Sequence, residues 1–459
     1  MNYFDKYALY PPLTGPAPEA GLSLAVTIPC HEEPDLTRTL DSLAACKPPQ
    51  KPVEVIVVIN SAGNAPENVK QHNAETLSEA LAWAARNKRP GLQFHIQHFP
   101  DLPPKHAGVG LARKIAMDEA ARRLTAAGNP RGVIACLDAD SLVQPNYLQA
   151  LQRHFDQHPA CPAAGIYYEH PLAGDDYAPE IYEAIARYEL HLRYYVHALR
   201  WAGLPTATQT VGSAMAVRAD AYQAQGGMNR RQAGEDFYFL HKFTPLDGFG
   251  EITTTTVIPS PRSSHRVPFG TGKAVGDILA GKTLNTYSPL IFKDLKVFLE
   301  KTDRWFDLSG AAFLQQNATA LAEFDHTLRA LPPAILTFLE KENFREKLCE
   351  IRRNTATPEA FRKRFFRWFD PFLAMKYVHH ARDHFYPGVP VEDCGLWIAD
   401  CGLRIADCPE TSGRIADCGL SEAIGTGSRQ QAGIESPAQT LTRIRALLEF
   451  FRTLDRNRG

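Results

Sequence analysis

Between Leu22 and about Tyr168 the chain alternates short β-branched runs with helix-period patterns, and that rhythm leaves few folds open. The runs are LAVTI at 24–28, VEVIVVI at 53–59, FHI at 94–96 and GVIACL at 132–137. Near-continuous apolar runs of this length suit strands covered on both faces, so they predict a mostly parallel sheet. Leu36, Leu40 and Leu43, then Ile115, Ala116, Ala120 and Leu124, recur at helical spacing and supply the apolar faces that right-handed crossovers lay on such a sheet. The expected fold class is α/β, with ligands at the carboxyl ends of the strands.

Further along, 178–201 reads as a long helix rich in Tyr and His, 209–217 as an extended stretch and 253–258 as another strand. A short helix is expected to open at Gly234-Glu235-Asp236. From about Gly276 to Tyr386 the β signal disappears, and helices are expected over 292–298, 311–328, 335–351 and 360–380. The resulting division is an N-terminal extension over 1–21, an α/β domain over 22–275, an α-helical C-terminal domain over 276–390, a linker over 391–440 and an amphipathic helix over 441–459 that packs back on the helical domain. In the linker, Ile-Ala-Asp-Cys recurs at 398, 405 and 415. The unit is short and nearly exact, whereas solenoid repeats run about 20 to 50 residues and diverge between copies, and the spacings of Cys394, Cys401, Cys408 and Cys418 match no zinc module, so it reads as a low-complexity insertion.

With 50 Lys+Arg against 51 Asp+Glu, the chain has no global charge to draw it to nucleic acid, and no partner of that class is expected. No apolar run approaches the roughly 20 residues of a membrane span, the first residues lack a signal-peptide pattern, and no C-x-x-C pair is present. A cytoplasmic chain is therefore expected, with any membrane contact peripheral to the inner face and made by the helical C-terminal region. There Arg362-Lys363-Arg364-Phe365-Phe366-Arg367-Trp368 suits either anionic headgroups or a helix with one packed aromatic face and one solvated basic face. His380 and His384, like His154 and His158, have i,i+4 spacing without the H-E-x-x-H pattern and read as solvated faces. Tyr182, Tyr188, Tyr194 and Tyr195 suit an acceptor groove or the core.

The sharpest chemical signal is Leu137-Asp138-Ala139-Asp140-Ser141 at the end of a buried strand. Two carboxylates one residue apart, where a strand gives way to a loop, can converge on a hard divalent cation and the phosphates it carries. The first strand ends Ile28-Pro29-Cys30-His31-Glu32-Glu33, the second ends Ile59-Asn60-Ser61, and Gly108-Val109-Gly110-Leu111-Ala112-Arg113 opens a helix ahead of the D-x-D strand. Downstream lie Val211-Gly212-Ser213-Ala214-Met215 and Ala233-Gly234-Glu235-Asp236-Phe237. Over about Leu22 to Thr271 this ordered set resembles the family 2 glycosyltransferases of GT-A fold, with their I-P-x-x-N-E strand end, G-x-x-x-A-R-N-like helix start and D-x-D.

The resemblance implies transfer of a sugar from a nucleotide-diphosphate donor to a hydroxyl acceptor, a glycan or a lipid-linked one, with inversion. It implies Mg2+ or Mn2+ on Asp138 and Asp140, with His265 completing the shell. Asp236 would be the base that takes the acceptor proton, with Glu235 orienting it or bonding a sugar hydroxyl. Pro29, His31, Glu33, Asn60, Lys105, Arg113, Asp138, Arg262 and Arg266 would contact the donor, and Gly212 and Ser213 the acceptor. Two departures bear on the donor's base: Glu32 stands where the family has Asn, and Asn60 where an acid is common. Three competing readings remain: a haloacid-dehalogenase-like phosphohydrolase with Asp138 as nucleophile, a nucleotidylyltransferase, and a non-catalytic binding protein on the same scaffold.

Overall fold

A computed structural model describes residues 2–266, 270–394 and 436–458. The Ile-Ala-Asp-Cys repeat, with Cys401, Cys408 and Cys418, lies outside the described residues. The chain forms two compact units, one of Met1–Ile185, Thr210–Leu279 and Thr453–Gly459, the other of Ala186–Gln209 and Ala280–Arg452.

The first unit is built on β1 (Leu24–Cys30), β2 (Val53–Ala62), β3 (Leu92–Leu102), β4 (Val133–Cys136), β5 (Leu142–Val143), β6 (Ala163–Tyr168), β7 (Met215–Arg218) and β8 (Gly250–Ile258). They form one sheet in the order β3-β2-β1-β4-β7-β6-β8-β5. Pairing is parallel across β3, β2, β1 and β4, antiparallel on both sides of β7, parallel between β6 and β8, and antiparallel at β5. The mostly parallel α/β sheet expected from the sequence is thus present. Both of its faces are covered. Val26, Ile28, Val55 and Val57 point to one face with Leu40 and Trp83, while Ala25, Ile56 and Val58 point to the other with Ile115 and Leu124. This is the period-2 alternation of a strand, each fully buried Val or Ile contributing about 1.5–3 kcal/mol.

The helices of this unit are α1 (Tyr3–Tyr7), α2 (Leu36–Ala44), α3 (Glu67–Arg86), α4 (Val109–Ala126), α5 (Tyr147–Gln157), the start of α6 (Pro179–Trp201), α7 (Ala219–Ala224), α8 (Glu235–Leu240) and α9 (Thr271–Leu279). The N-terminal extension is strapped along α4. Tyr3 and Tyr222 donate their hydroxyls to Asp118 Oδ1 at 2.7 and 2.6 Å, Lys114 reaches Asp118 Oδ2 at 2.9 Å, and the backbone N–H groups of Leu13 and Thr14 donate to the Glu119 carboxylate at 3.1 Å each. Two acids on a buried helix are in this way hydrogen-bonded rather than left as lone charges. The stretch expected to be extended over 209–217 is strand only at Met215–Arg218, and β6 was not expected, because Ala-Ala-Gly-Ile-Tyr-Tyr lacks a β-branched run.

The second unit holds the end of α6, β9 (Asn285–Thr286), α10 (Pro289–Leu299), α11 (Thr302–Ser309), α12 (Ala318–Arg329), α13 (Pro333–Lys341), α14 (Phe344–Arg353), α15 (Pro358–Trp368), α16 (Pro371–His384), β10 (Val389–Pro390) and most of α17 (Pro437–Arg456). Three helices expected to be continuous are broken. A π-helical turn at Gly310–Leu314 precedes α12, Asn343 with φ 52° separates α13 from α14, and Asp370 caps α16 by accepting from Leu373 N, with Pro371 at its first position. The last break follows from proline's missing N–H, which ends one helix and suits the start of the next. Ile444, Leu447, Leu448 and Phe451 of α17 are buried in this unit, and Arg452 meets buried Glu189 at 2.7 Å.

Tyr194 packs edge-on against Phe292 and Tyr195 lies against Tyr287, so both join the core of this unit. On α15, Phe361 and Phe365 are buried while Arg362 pairs with Asp303 at 2.5 Å and Arg364 with Glu350 at 3.1 Å. Among the described residues, no helix is long and apolar enough to cross a membrane.

Candidate functional site

Strands β1 and β4 are parallel neighbours, so the segments leaving their carboxyl ends, His31 to Glu33 and Leu137 to Asp140, emerge side by side. The Leu137 N–H still donates to Thr27 O at 3.1 Å, and the D-x-D follows directly. Asp138 and Asp140 are both half-buried.

Helix α4 brings Arg113 to the same edge. The guanidinium, 1% exposed, donates from Nη2 to Asp138 Oδ1 at 2.5 Å and from Nη1 to Glu235 Oε1 at 2.6 Å. Burial opposes its charge, yet the carboxylates of Asp138 and Glu235 hold its pKa above the ordinary arginine range. The two glycines at the start of α4 make this approach possible. A Cβ on Gly108 would lie 3.0 Å from Gln232 Cα, and one on Gly110 would overlap the Arg231 carbonyl and stand 3.1 Å from Glu235 Cβ. Gly212 lies against the Arg113 guanidinium, with no room there for a side chain. Asp236, next to Glu235, accepts from its neighbour Phe237 N at 2.7 Å and from the backbone N–H of Gly212. Burial pushes both carboxyls of the pair up, against the pull of Arg113.

A second charged cluster adjoins the first. Glu33, 1% exposed, accepts from Arg262 and from Arg266 Nη1 at 2.9 Å, and Arg266 also donates to His31 O at 2.9 Å. The same arginines reach Asp140 Oδ2 at 3.3 and 3.4 Å. Burial and the neighbouring Glu33 and Asp138 push the Asp140 carboxyl up to about 6 in spite of them. At the end of β2, Asn60 O accepts from His31 Nδ1 at 2.7 Å and from Asn73 Nδ2 at 2.9 Å, while Asn73 Oδ1 accepts from Glu32 N at 2.8 Å. Glu32 sits at φ 50°, the left-handed region that Asn enters more readily than Glu.

Residues 20–241 match the sequence model of the family described as glycosyltransferase like family 2. The chain carries a family 2 glycosyltransferase domain. The match goes to this family and not to the phosphohydrolase or nucleotidylyltransferase reading of the same residues. Similar solved structures include S. aureus TarS 1–349 in complex with UDP-GlcNAc, at 14% identity and TM-score 0.37, covering 74% of this chain and 92% of that one. The same protein in complex with UDP is similar at 12% identity and TM-score 0.35, over 76% of this chain and 92% of that one. No curated protein matches the chain by sequence.

Within the glycosyltransferase domain the remaining expected residues lie as follows. Pro29 is buried in β1 opposite Val58, and Asn60 is buried. Ser213 is 1% exposed and its Oγ has no hydrogen-bond partner. Lys105 is exposed on the loop after β3, which Gln232 ties to the loop before α8 by donating to Pro104 O at 3.3 Å. His265 is exposed between Ser264 and Arg266. Among the described residues no group of three or more His, Cys, Asp or Glu side chains is arranged to hold a metal.

One member of the site, and one pairing within it, escaped the sequence reading. Asn73 sits mid-helix in α3, where nothing local marks a residue that props up Glu32 and Asn60. Glu33 and the arginines at 262 and 266 were each singled out, but their pairing is a contact across most of the domain's length. Cys30, Cys46, Cys136 and Cys161 are buried free thiols.

Proposed function

We propose that the domain transfers a sugar from a nucleotide-diphosphate donor to a hydroxyl of a glycan or lipid-linked acceptor, with inversion, using Asp236 as base and Asp138 and Asp140 at the donor diphosphate. The observation that carries this reading is the single guanidinium of Arg113 joining Asp138 to Glu235. It supports the reading by linking Asp138, proposed for the donor side, to an acid pair whose second member has no salt bridge with Arg113.

Asp236 suits the base. Its burial raises proton affinity, and the N–H groups of Phe237 and Gly212 fix its orientation. Glu235 is held by Arg113 and so serves to position it. Ser213 Oγ, buried without a partner, suits an acceptor hydroxyl. Arg262 and Arg266, now on Glu33 and Asp140, have the fork geometry to turn to phosphate oxygens.

The donor set also fits a hard divalent cation. Asp138 and Asp140 supply carboxylate oxygens, the hard donors such a cation takes. Mg2+ or Mn2+ bound there with diphosphate oxygens would neutralise the leaving group. His265 is placed to join only by movement of its exposed loop.

The test is Asp236→Asn assayed against a panel of UDP-, GDP- and CDP-sugars with mixed glycan acceptors. Transfer is expected to fall by at least about 10³-fold while nucleotide binding is kept. Transfer at the wild-type rate would remove Asp236 from the role of base.

A further inference from the structure

Strand β3 stands at one end of the sheet order, where its only neighbour is β2, and it is 11 residues long. Among the described residues, no backbone group over 93–99 bonds to a backbone group other than those of β2, so the outer side of the strand is open. Outer strands as a rule carry Lys, Pro or a bulge that blocks further pairing. Gln93-Phe94-His95-Ile96-Gln97-His98-Phe99 has no Lys, Arg or Pro, and the irregularity in its pairing with β2 comes only after Phe99.

Both flanks of this edge expose apolar surface. Helix α3 packs on β2 and β3 alike. It turns Thr76 and Trp83 toward Glu33 O and Asp41, away from the edge, and its other flank is the stripe Lys70, Ala74, Leu77, Leu81 and Ala84 at helical spacing. Lys70 lies 3.6 Å from Asp101 near the end of β3, so the stripe runs along the open edge. Leu81 is 49% exposed, the most of any large hydrophobic side chain among the described residues. Below the strand, Tyr10 packs on Phe99 with ring centroids 4.9 Å apart, and its neighbour Leu9 is also exposed.

A second copy of the chain fits this edge. A two-fold axis normal to the sheet sets β3 antiparallel to its copy and keeps equivalent faces together, α3 beside α3 and the N-terminal segment beside its own copy. Paired strands lie about 4.8 Å apart, so two helices each seated between β2 and β3 stand about 10 Å from one another, the distance at which helices pack. The stripes of Ala74, Leu77, Leu81 and Ala84 then meet. The charges agree as well. Antiparallel pairing brings the exposed Asp101 at the carboxyl end of β3 to the amino end of the copy, where Lys88 is exposed with no acid partner among the described residues. An unrelated extended peptide would pair with the strand and leave Leu81 uncovered, whereas a copy covers both.

We propose that the chain forms a two-fold dimer by antiparallel pairing of β3 with β3, joining the two sheets into one. Nothing in this depends on the glycosyl-transfer reading.

The experiment is sedimentation velocity of the full chain over a range of concentrations, with hydrogen–deuterium exchange of the 93–99 amides in the same samples. The variants are Leu81→Glu, Lys88→Asp, and Lys88→Asp combined with Asp101→Lys, all at exposed positions where folding is kept, as circular dichroism checks. Wild type is expected to reach twice 51.0 kDa. Leu81→Glu and Lys88→Asp are each expected to weaken the dimer at least about tenfold, and the charge exchange to recover it. The 93–99 amides are expected to exchange faster in the Leu81→Glu monomer than in the wild-type dimer. A wild-type monomer at every concentration would overturn the proposal, and slow exchange of 93–99 in that monomer would mean that a segment of the chain itself covers the edge. A dimer that neither single substitution weakens, or one in which 93–99 exchange as in the monomer, would place the contact elsewhere and overturn it too.

Discussion

Arg113 Nη2 lies 2.5 Å from Asp138 Oδ1 while the same guanidinium donates to Glu235 at 2.6 Å, so one buried cation ties the D-x-D strand to the helix that carries the acid pair. A Lys at this place has one charge centre and no planar fork, and cannot serve both acids in the same geometry. Arg113→Lys is expected to lower kcat by about 10²-fold, and Arg113→Met to destabilise the fold by about 3 kcal/mol, because Glu235 would be left buried and uncompensated. Steady-state kinetics and urea unfolding check the two claims separately. A Lys variant with full activity would show that the bridge has no catalytic consequence.

The glycines that open α4 are expected to matter through shape. A Cβ at Gly110 overlaps the Arg231 carbonyl, so Gly110→Ala must push the loop before α8 away from α4. A loss of about 1–3 kcal/mol is expected, with reduced activity in the folded fraction. Gly15→Ala, whose Cβ meets no atom within 4 Å, is the matched control and should be silent in thermal melts.

Glu32 occupies left-handed backbone, and its N–H is held by Asn73. Glu32→Asn is expected to raise stability by up to about 1 kcal/mol, since Asn takes this conformation at lower cost. Asn73→Ala should do the reverse, leaving the Glu32 N–H without its partner and removing one of the two donors to Asn60 O. Chemical denaturation of both variants gives the comparison.

The acid pair sets a pH dependence of definite sign. Burial raises the pKa of Glu235 above its ordinary value in the folded chain. A raised carboxyl contributes its stability fully below the unfolded pKa and loses it as pH climbs through the folded one. Relative to Glu235→Gln, the wild-type melting temperature is thus expected to fall between about pH 5 and about pH 8. A difference that stays flat or grows with pH would mean that Arg113 outweighs the burial.

How far the sequence could be read depended on whether a feature was local. The parallel core was legible, because Val53 to Ile59 and Leu24 to Ile28 are apolar enough to announce strands covered on both faces. The D-x-D and the Glu235-Asp236 helix start were legible as short motifs, and the family match spans both. Strand β6 was not, since its small residues are made strand by the neighbours β7 and β8 rather than by propensity. The breaks at Asn343 and Pro371 fell inside apolar periodicity that continued across them. The bridging role of Arg113, the clasp of Arg262 and Arg266 on Glu33 and the strap from Tyr3 to Asp118 are pairings of distant residues, on which periodicity is silent.

The most direct measurement is isothermal titration of the purified chain with UDP, GDP and CDP, each with and without Mn2+, on wild type and Asp140→Ala. One nucleotide is expected to bind at least about tenfold more tightly with the metal, and that gain is expected to vanish in the variant. Equal binding with and without Mn2+ in wild type, or a metal gain that survives Asp140→Ala, would contradict the assignment of Asp138 and Asp140 to the metal and the donor diphosphate.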